Sequence, residues 1–293
     1  MRTSKAHARP VAIVVGADDA GSAVAVALHR AGFATVLCDD IDPPWARRGM
    51  SFTNAWYFGN AELDGEAAIC CSNVKSIAPV LRRDNLIAAT PWSWHGIALA
   101  LEPVAIVRSR STRRRDGSPF KARAPEGALT IGIGGDYDGE EDFDVVVASG
   151  HEGVGSVISV DEARGCGTGT ANLVCTADRG QIVRAAKAGR FATNRRIGDH
   201  VRLGQIVGAI GDSDVAAPID GVLRGLSARG AAVFEGAIIV EVDPRGDPAL
   251  CFGIDEHAWR IARSVVSALA QRLHGNLPTS EGPIIQTAAA HVV

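Results

Sequence analysis

Long apolar runs are missing from this chain, and so is a strong charge of either sign. No segment approaches the roughly 18 consecutive apolar residues of a membrane-spanning helix, so we expect no contact with a membrane. The formal net charge of −3 over 293 residues gives no general attraction to nucleic acid. The opening residues, MRTSKAHARP, lack the apolar core of a secretion signal, which predicts a cytoplasmic protein.

Regularly spaced cysteines are also missing. The six cysteines contain no CxxC pair, and the adjacent Cys70 and Cys71 would face opposite sides of a strand. Two thiolates that point apart make a poor joint metal site. We therefore predict no metal site and interpret most cysteines as small core residues in a reducing compartment.

Lysine is absent after Lys187, and this absence limits how an internal repeat is interpreted. Segment 183–207 returns 32 positions later as 215–239, with identical residues at Val183/Val215, Ala185/Ala217, Gly189/Gly221, Gly198/Gly230, Val201/Val233, Gly204/Gly236 and Ile206/Ile238. Turn glycines and short apolar strands predict hairpins, and two copies favour a small β-sandwich over a solenoid. The second copy, AAPIDGVLRGL followed by GAAVFEGAIIVEV, resembles the biotinyl/lipoyl-type barrel-sandwich. The hairpin between the copies, GAIGDSDVAAP, has no lysine to carry biotin or lipoate, which excludes a swinging-arm carrier at that position.

The N-terminal half alternates short apolar runs with helical periodicity. Strands are predicted at residues 11–15, 34–38, 86–90 and 104–107, and helices at residues 21–31 and 97–101. Strand–helix–strand units with tight turns predict a doubly wound, Rossmann-like parallel sheet.

The turn after the first strand resembles half of a dinucleotide-binding fingerprint. It reads Gly16-Ala17-Asp18-Asp19-Ala20-Gly21, with Asp18 where the usual pattern has a glycine beside the pyrophosphate. Asp39 follows the second strand about 20 residues on, where an acidic residue binds a ribose hydroxyl. Two interpretations stay open, a nucleotide site and a Rossmann-like scaffold that binds no nucleotide tightly.

Other polar and aromatic residues follow predicted strands. His151 comes after the apolar run 145–148 and is either a general base or anion contact, or a loop histidine bonded to backbone. Trp92, Trp94 and His95 follow the strand at 86–90, and their rings either stack on a pterin or nucleobase, or pack in the core. An arginine-rich loop, 108–115, is either an anion site or a solvated linker, and the acidic stretch 136–144 is interpreted as a surface turn.

Four segments occur in one order along most of the chain, from about residue 11 to 272. They are LHRAGF at 28–33, Arg47-Arg48-x-x-Ser51-Phe52, GHEGVGSVI at 150–158 and APIDGVLRGL…VEVDPRGD at 217–247. Together they resemble the accessory proteins of selenium-dependent molybdenum hydroxylases, which are related in role to xanthine dehydrogenase maturation factors. Members of that family read GGGD-L-A-x-G in the first turn, whereas this chain has Asp18 and Ala23 at two of the expected glycines.

The resemblance implies an accessory or maturation factor that assists insertion or modification of the cofactor of a xanthine dehydrogenase-like molybdenum hydroxylase. It implies a hydroxylase subunit or a cofactor-synthesis protein as the partner, and the molybdenum cofactor or a nucleotide as a transient ligand. Two alternatives stay open, an NAD(P)-dependent oxidoreductase and a non-catalytic scaffold with a degenerate nucleotide site. No catalytic residue is assigned, and the candidate cofactor-binding residues are Gly16, Ala17, Asp18, Asp19, Gly21, Asp39, Arg47, Arg48 and His151.

These patterns predict a modular architecture. An α/β Rossmann-like N-terminal domain spans residues 10–111, and a β-rich connector that completes the α/β part spans 112–176. A C-terminal β-rich, biotinyl/lipoyl-like barrel-sandwich domain with a terminal helix spans 177–274, and a flexible tail spans 275–293.

Overall fold

A nine-stranded sheet forms the larger part of the computed structural model, which describes residues 9–39, 45–109, 124–134, 143–150, 153–158 and 181–273. Its strands are β1 (Val11–Val15), β2 (Ala34–Cys38), β3 (Asn60–Leu63), β4 (Glu66–Cys70), β5 (Leu86–Thr90), β6 (Ala105–Arg108), β7 (Leu129–Ile133), β8 (Val145–Val147) and β9 (Val157–Ile158). They lie in the order β3-β4-β5-β2-β1-β6-β7-β8-β9. The seven inner strands pair in parallel, and the edge strands β3 and β9 pair antiparallel with their neighbours.

Helices cover both faces of this sheet. They are α1 (Asp19–Arg30), α2 (Asn54–Phe58), α3 (Val74–Leu81), α4 (Trp94–Leu101) and α5 (Glu256–Leu273). Strand β1 shows why both faces are apolar: Ala12 and Val14 pack in the core with α1 and α5, whereas Ile13 and Val15 pack in the core with α3 and α4. Because both faces of β1 are buried, this strand is a continuous apolar run.

The C-terminal strands form two four-stranded antiparallel sheets around a separate apolar core. The strands are β10 (Gln181–Arg184), β11 (Gly189–Ala192), β12 (His200–Val201), β13 (Ile206–Ile210), β14 (Ser213–Ala216), β15 (Gly221–Leu226), β16 (Ala232–Val233) and β17 (Ile238–Asp243). One sheet has the order β10-β17-β15-β12 and the other β14-β13-β11-β16. Strands β10, β11, β12 and β13 correspond to β14, β15, β16 and β17, each of which begins 32 positions later. When every strand is replaced by its counterpart, the strand order of one sheet becomes the strand order of the other. The repeat in the sequence is therefore a repeat in the structure.

The predicted fold class, a Rossmann-like domain plus a biotinyl/lipoyl-like barrel-sandwich domain, was wrong. The large sheet is mixed rather than a doubly wound parallel sheet, because the antiparallel strands β3 and β9 close its two edges. The terminal helix α5 does not belong to the antiparallel sheets either, since it packs against α1 in the core of the nine-stranded sheet. The fold is a mixed nine-stranded α/β sheet joined to two antiparallel sheets.

The described helices include none that is long and apolar enough to cross a membrane.

Candidate functional site

The carboxyl ends of the central parallel strands lie side by side at one edge of the nine-stranded sheet, here called the carboxyl edge. Strand β1 lies between β2 and β6, so the connections that leave β1 and β5 run to opposite sides of the sheet. Open α/β sheets bind ligands at such a point. Backbone hydrogen bonds connect these strand ends. Gly16 N donates to Cys38 O (2.8 Å), Asp39 N to Thr90 O (3.2 Å) and Ser109 N to Val15 O (2.9 Å).

The first turn is closed by glycines and capped by Asp18. Gly16 has a φ of 108°, a conformation that L side chains rarely adopt. A Cβ atom on Gly21 would lie 2.0 Å from the carbonyl oxygen of Gly16, so the turn requires glycine there as well. Asp18 is the N-cap of α1, and its Oδ1 accepts a hydrogen bond of 2.8 Å from Gly21 N. The carboxylate thus occupies the helix N-terminus, where a phosphate would otherwise bind.

Asp39 supports the same turn. Its Oδ2 accepts a hydrogen bond of 2.9 Å from Ala17 N, and the residue is only 3% exposed. The sequence predicted that this carboxylate binds a ribose hydroxyl, but the structure directs one of its oxygens to the backbone. Asp18 and Asp39 therefore take two backbone donors of the first turn.

Small polar side chains from α1 and from the segment before α2 cover the turn. The hydroxyl groups of Ser22 and Thr53 both donate to Ala17 O, over 3.3 and 3.1 Å. The Ser22 Oγ also accepts from Phe52 N at 3.0 Å. All of these residues are buried, so the turn is part of a packed hydrogen-bond network rather than an open loop.

Arg47 joins the nine-stranded sheet to the antiparallel sheets. Its Nη1 donates to Asp19 Oδ2 at 2.8 Å, and its Nε and Nη2 donate to the two carboxylate oxygens of Glu241 at 2.5 and 2.8 Å. Trp45 Nε1 donates to the other oxygen of Asp19 at 2.7 Å. Burial opposes the charge of Arg47, but the two carboxylates outweigh it and raise the pKa of the guanidinium. Arg47 was predicted as a cofactor contact, and the structure gives it bonds to Asp19 in α1 and Glu241 in β17.

Arg48 makes a second connection between the two parts, at the junction formed by residues 45–54 and the C-terminal sheets. Its Nε donates to Leu226 O and its Nη1 to Asn54 Oδ1, each over 2.7 Å. Leu226 N in turn donates to Ala46 O at 2.7 Å, which adds a backbone bond between the two parts. Burial lowers the pKa of Arg48, and a weaker interaction with Tyr57 opposes this. The Arg47-Arg48 segment therefore contributes to the junction rather than to an open pocket.

Arg108 brings a buried cation to the end of β6, next to β1. Its guanidinium carbon lies 5.8 Å from the ring centroid of Phe143, within cation–π range, and the residue is buried. The sequence left Arg108 open between an anion site and a solvated linker, and its burial excludes the solvated state for this residue. The other arginines of that loop, at 110–115, lie outside the described residues. His151 and most of the acidic stretch 136–144 also lie outside them.

The aromatic residues after β5 divide into a stacked pair, of which Trp94 is buried and His95 is partly exposed, and an exposed ring. Trp94 is buried and stacks on His95 with 3.8 Å between ring centroids, and His95 Nδ1 bonds the hydroxyl of Ser93 at 3.0 Å. Trp92 is 49% exposed, and its Nε1 donates to Ser72 O at 2.8 Å. Packing thus explains Trp94, whereas Trp92 presents an indole at the carboxyl edge.

The described cysteines, Cys38, Cys70, Cys71 and Cys251, are free thiols. Cys38, Cys71 and Cys251 are buried, and burial raises the pKa of Cys71 and raises that of Cys251 to about 11. Within the described ranges no group of three or more His, Cys, Asp or Glu residues is placed to hold a metal ion. Cys71 and Cys251 are therefore protonated and unreactive at neutral pH.

Sequence reasoning missed Glu241 and Trp45 as partners of the predicted residues. The sequence contained one indication that Glu241 is unusual. Strand β17 reads IIVEVD, and its two charged residues alternate with apolar residues. On a strand with one solvated face such charges are exposed, yet Glu241 and Asp243 are buried because the junction covers that face. No comparable signal identified Trp45.

No family model matches the chain. The uncharacterized protein YqeB of Escherichia coli K12 is 27% identical over 280 residues, which cover 94% of this chain and 50% of that protein, so the chain spans about half the length of this relative.

Two solved structures of the aspartoacylase type are distantly similar to this chain. A succinylglutamate desuccinylase/aspartoacylase from Rhodobacter sphaeroides is 14% identical, with a TM-score of 0.21, over 81% of this chain and 54% of that one. An aspartoacylase family protein from Mesorhizobium loti is 9% identical, with a TM-score of 0.23, over 81% and 86%. The names of these two proteins mention neither a Rossmann-like domain nor a biotinyl/lipoyl-like domain. Their TM-scores are too low to support any statement about the activity of this chain.

Proposed function

We propose that this chain is an accessory factor in the maturation of a xanthine dehydrogenase-like molybdenum hydroxylase, and that it acts by binding rather than by hydride transfer. The whole-length resemblance of the sequence supports the accessory role. The observation that supports action by binding is the capped first turn. Carboxylates of the chain itself accept the hydrogen bonds of Gly21 N and Ala17 N, which a dinucleotide phosphate would otherwise use.

Electrostatics adds to this argument. Asp18 and Asp39 are 7% and 3% exposed, so their negative charges lie in a poorly solvated region beside the turn. A pyrophosphate at that position would lose its backbone donors and face like charges at short range. This combination argues against the NAD(P)-dependent oxidoreductase that the strand–turn–helix pattern left open. A binding protein requires no such phosphate site.

The accessory role is tested in the host. The hydroxylase is purified from cells that lack this chain and from cells in which the chain is restored, and its specific activity and molybdenum content are measured. We expect an inactive, molybdenum-poor hydroxylase at normal polypeptide level without the chain, and recovery when the chain is restored. Full activity and full molybdenum content in its absence would refute the accessory role.

Action by binding is tested with nucleotides and the first turn. Titration calorimetry with NADH and NADPH compares the natural chain with Asp18→Asn and Asp18→Gly. Asparagine keeps the helix cap without the charge, whereas glycine removes both. We expect the natural chain to bind neither nucleotide and Asp18→Gly to bind at least one of them more tightly than Asp18→Asn does. Micromolar binding by the natural chain would support the oxidoreductase instead.

A further inference from the structure

The indole of Trp92 is held rigidly at the surface of the carboxyl edge. Its Nε1 donates to Ser72 O at 2.8 Å, and its backbone N donates to Thr90 Oγ1 at 3.3 Å. Thr90 Oγ1 donates in turn to Cys71 O at 3.0 Å, so the end of β5 and the turn after β4 are tied together below the ring. A tryptophan fixed in this way presents a large apolar plane and loses little conformational entropy when a ligand covers it.

The position of Trp92 in the sheet places it beside the first turn. Strand β5 neighbours β2, which neighbours β1, and Asp39 N donates to Thr90 O at 3.2 Å across the chain ends. Since neighbouring strands lie about 4.8 Å apart, the end of β5 lies roughly 10 Å from the turn after β1. Trp92 therefore lies at the same carboxyl edge of the sheet as the first turn.

Polar groups flank the ring on the side of Ser72. Ser72 and Asn73 are exposed; Asn73 Oδ1 caps α3 by accepting from Ser76 N at 3.0 Å, and Asn73 Nδ2 donates to Ser72 Oγ at 3.4 Å. An amide group carries two N–H donors, and a hydroxyl group both donates and accepts. An apolar plane with donors and acceptors at its edge matches a planar ring that carries nitrogen and oxygen atoms on its rim.

We propose that Trp92 is the stacking platform for a planar nitrogen heterocycle of the pterin or purine kind. Ser72 and Asn73 bond the edge of that ring, and Trp92 covers one of its faces. The choice of a pterin as the expected ligand rests on the proposed function, because the cofactor of a molybdenum hydroxylase contains a pterin ring. The stacking site itself rests only on the exposed, hydrogen-bonded indole and its polar edge.

The test is titration calorimetry with two probes, pterin-6-carboxylate and adenosine. Four forms of the full chain are compared: the natural chain, Trp92→Ala, Trp92→Phe and Phe234→Ala. Phe234 is a matched control because it is 44% exposed and lies in the turn between β16 and β17, in the antiparallel sheets rather than in the nine-stranded sheet. Because Trp92 is half exposed, circular dichroism should give the same spectrum for all four forms.

We expect the natural chain to bind the pterin and Trp92→Ala to bind it about tenfold or more weakly, as is usual for loss of a stacked aromatic ring. Trp92→Phe should retain most of the affinity, and Phe234→Ala should equal the natural chain. Trp92-dependent binding of adenosine alone would support the stacking site and identify a purine as its ligand. No binding of either probe, or equal binding by Trp92→Ala, would overturn the site. Such a failure is distinct from that of the accessory role, which is decided by the activity of the hydroxylase in the host.

Discussion

Arg47 bonds two carboxylates that are far apart in the sequence, Asp19 in α1 and Glu241 in β17. All three side chains are at most 5% exposed, so none of these charges is well solvated. The ion pairs with the oppositely charged partners replace the lost interactions with water. Removing one partner of a buried ion pair is much more costly than the net stability of the pair suggests, because the remaining charges stay buried and uncompensated.

Arg47→Met should therefore lower the free energy of unfolding by about 3–5 kcal/mol, measured by urea denaturation. Arg190→Met is the control, since Arg190 is an exposed arginine with a hydrogen bond to Gly230 O. It should change stability by less than about 0.5 kcal/mol. Adding Asp19→Asn and Glu241→Gln to Arg47→Met should restore part of the loss. A stability of Arg47→Met within about 1 kcal/mol of the natural chain would contradict the role of this network.

Cys251 illustrates a neutral buried group. It is fully buried, and burial raises its pKa to about 11, although the nearby Arg224 opposes the shift. Iodoacetamide at pH 8 should modify Cys251 slowly in the folded protein and quickly in urea, as measured by mass spectrometry of the peptide that contains it. A folded-state rate equal to that in urea would show that the thiol is accessible and ionised. Since the folded pKa lies above the unfolded value of 9.0, the contribution of Cys251 to stability is complete below pH 9 and is lost as the pH rises toward about 11.

At the scale of elements, helix α1 begins where Asp18 caps it. Asp18→Ala leaves Gly21 N without its partner and should lower the free energy of unfolding by about 1 kcal/mol. Asp18→Asn retains an acceptor and should cost less. Both values come from chemical denaturation, and an Asp18→Ala variant as stable as Asp18→Asn would show that the cap contributes nothing.

Local patterns predicted most of the elements but not how they combine. Strands β1, β2 and β5 begin and end where the apolar runs do, and the repeat placed the C-terminal hairpins, because turn glycines and alternation are local properties. The position of α5 was not predictable in this way: its apolar face shows that it packs against something, but not that the partner is α1. The roles of Asp18 and Arg47 depended on the same missing information. A motif identifies which residues stand at a turn, and only the folded chain shows which atoms they bond.

At the scale of the whole molecule, the junction formed by residues 45–54 and the C-terminal sheets connects the nine-stranded sheet to the antiparallel sheets. Besides Arg47 and Arg48, the junction includes a close backbone approach, in which Gly253 N donates to Gly49 O at 3.0 Å. A Cβ atom on Gly49 would lie 2.5 Å from the carbonyl oxygen of Cys251, and backbone cannot yield there as a flexible side chain would. This contact makes Gly49 a specific point at which to loosen the junction.

Gly49→Ala should therefore destabilise the chain by about 1–3 kcal/mol, because the added methyl group forces the two parts away from each other. If the junction couples them, differential scanning calorimetry should show one unfolding transition for the natural chain and two for Gly49→Ala. Gly96→Ala is the matched control: Gly96 lies inside α4 with open space around its Cβ position. That substitution should stabilise the chain by about 0.5–1 kcal/mol and leave one transition, because alanine favours a helix interior over glycine. Two transitions already present in the natural chain would mean that the two parts fold independently. The Arg47 network would then stabilise their contact without making them one cooperative unit.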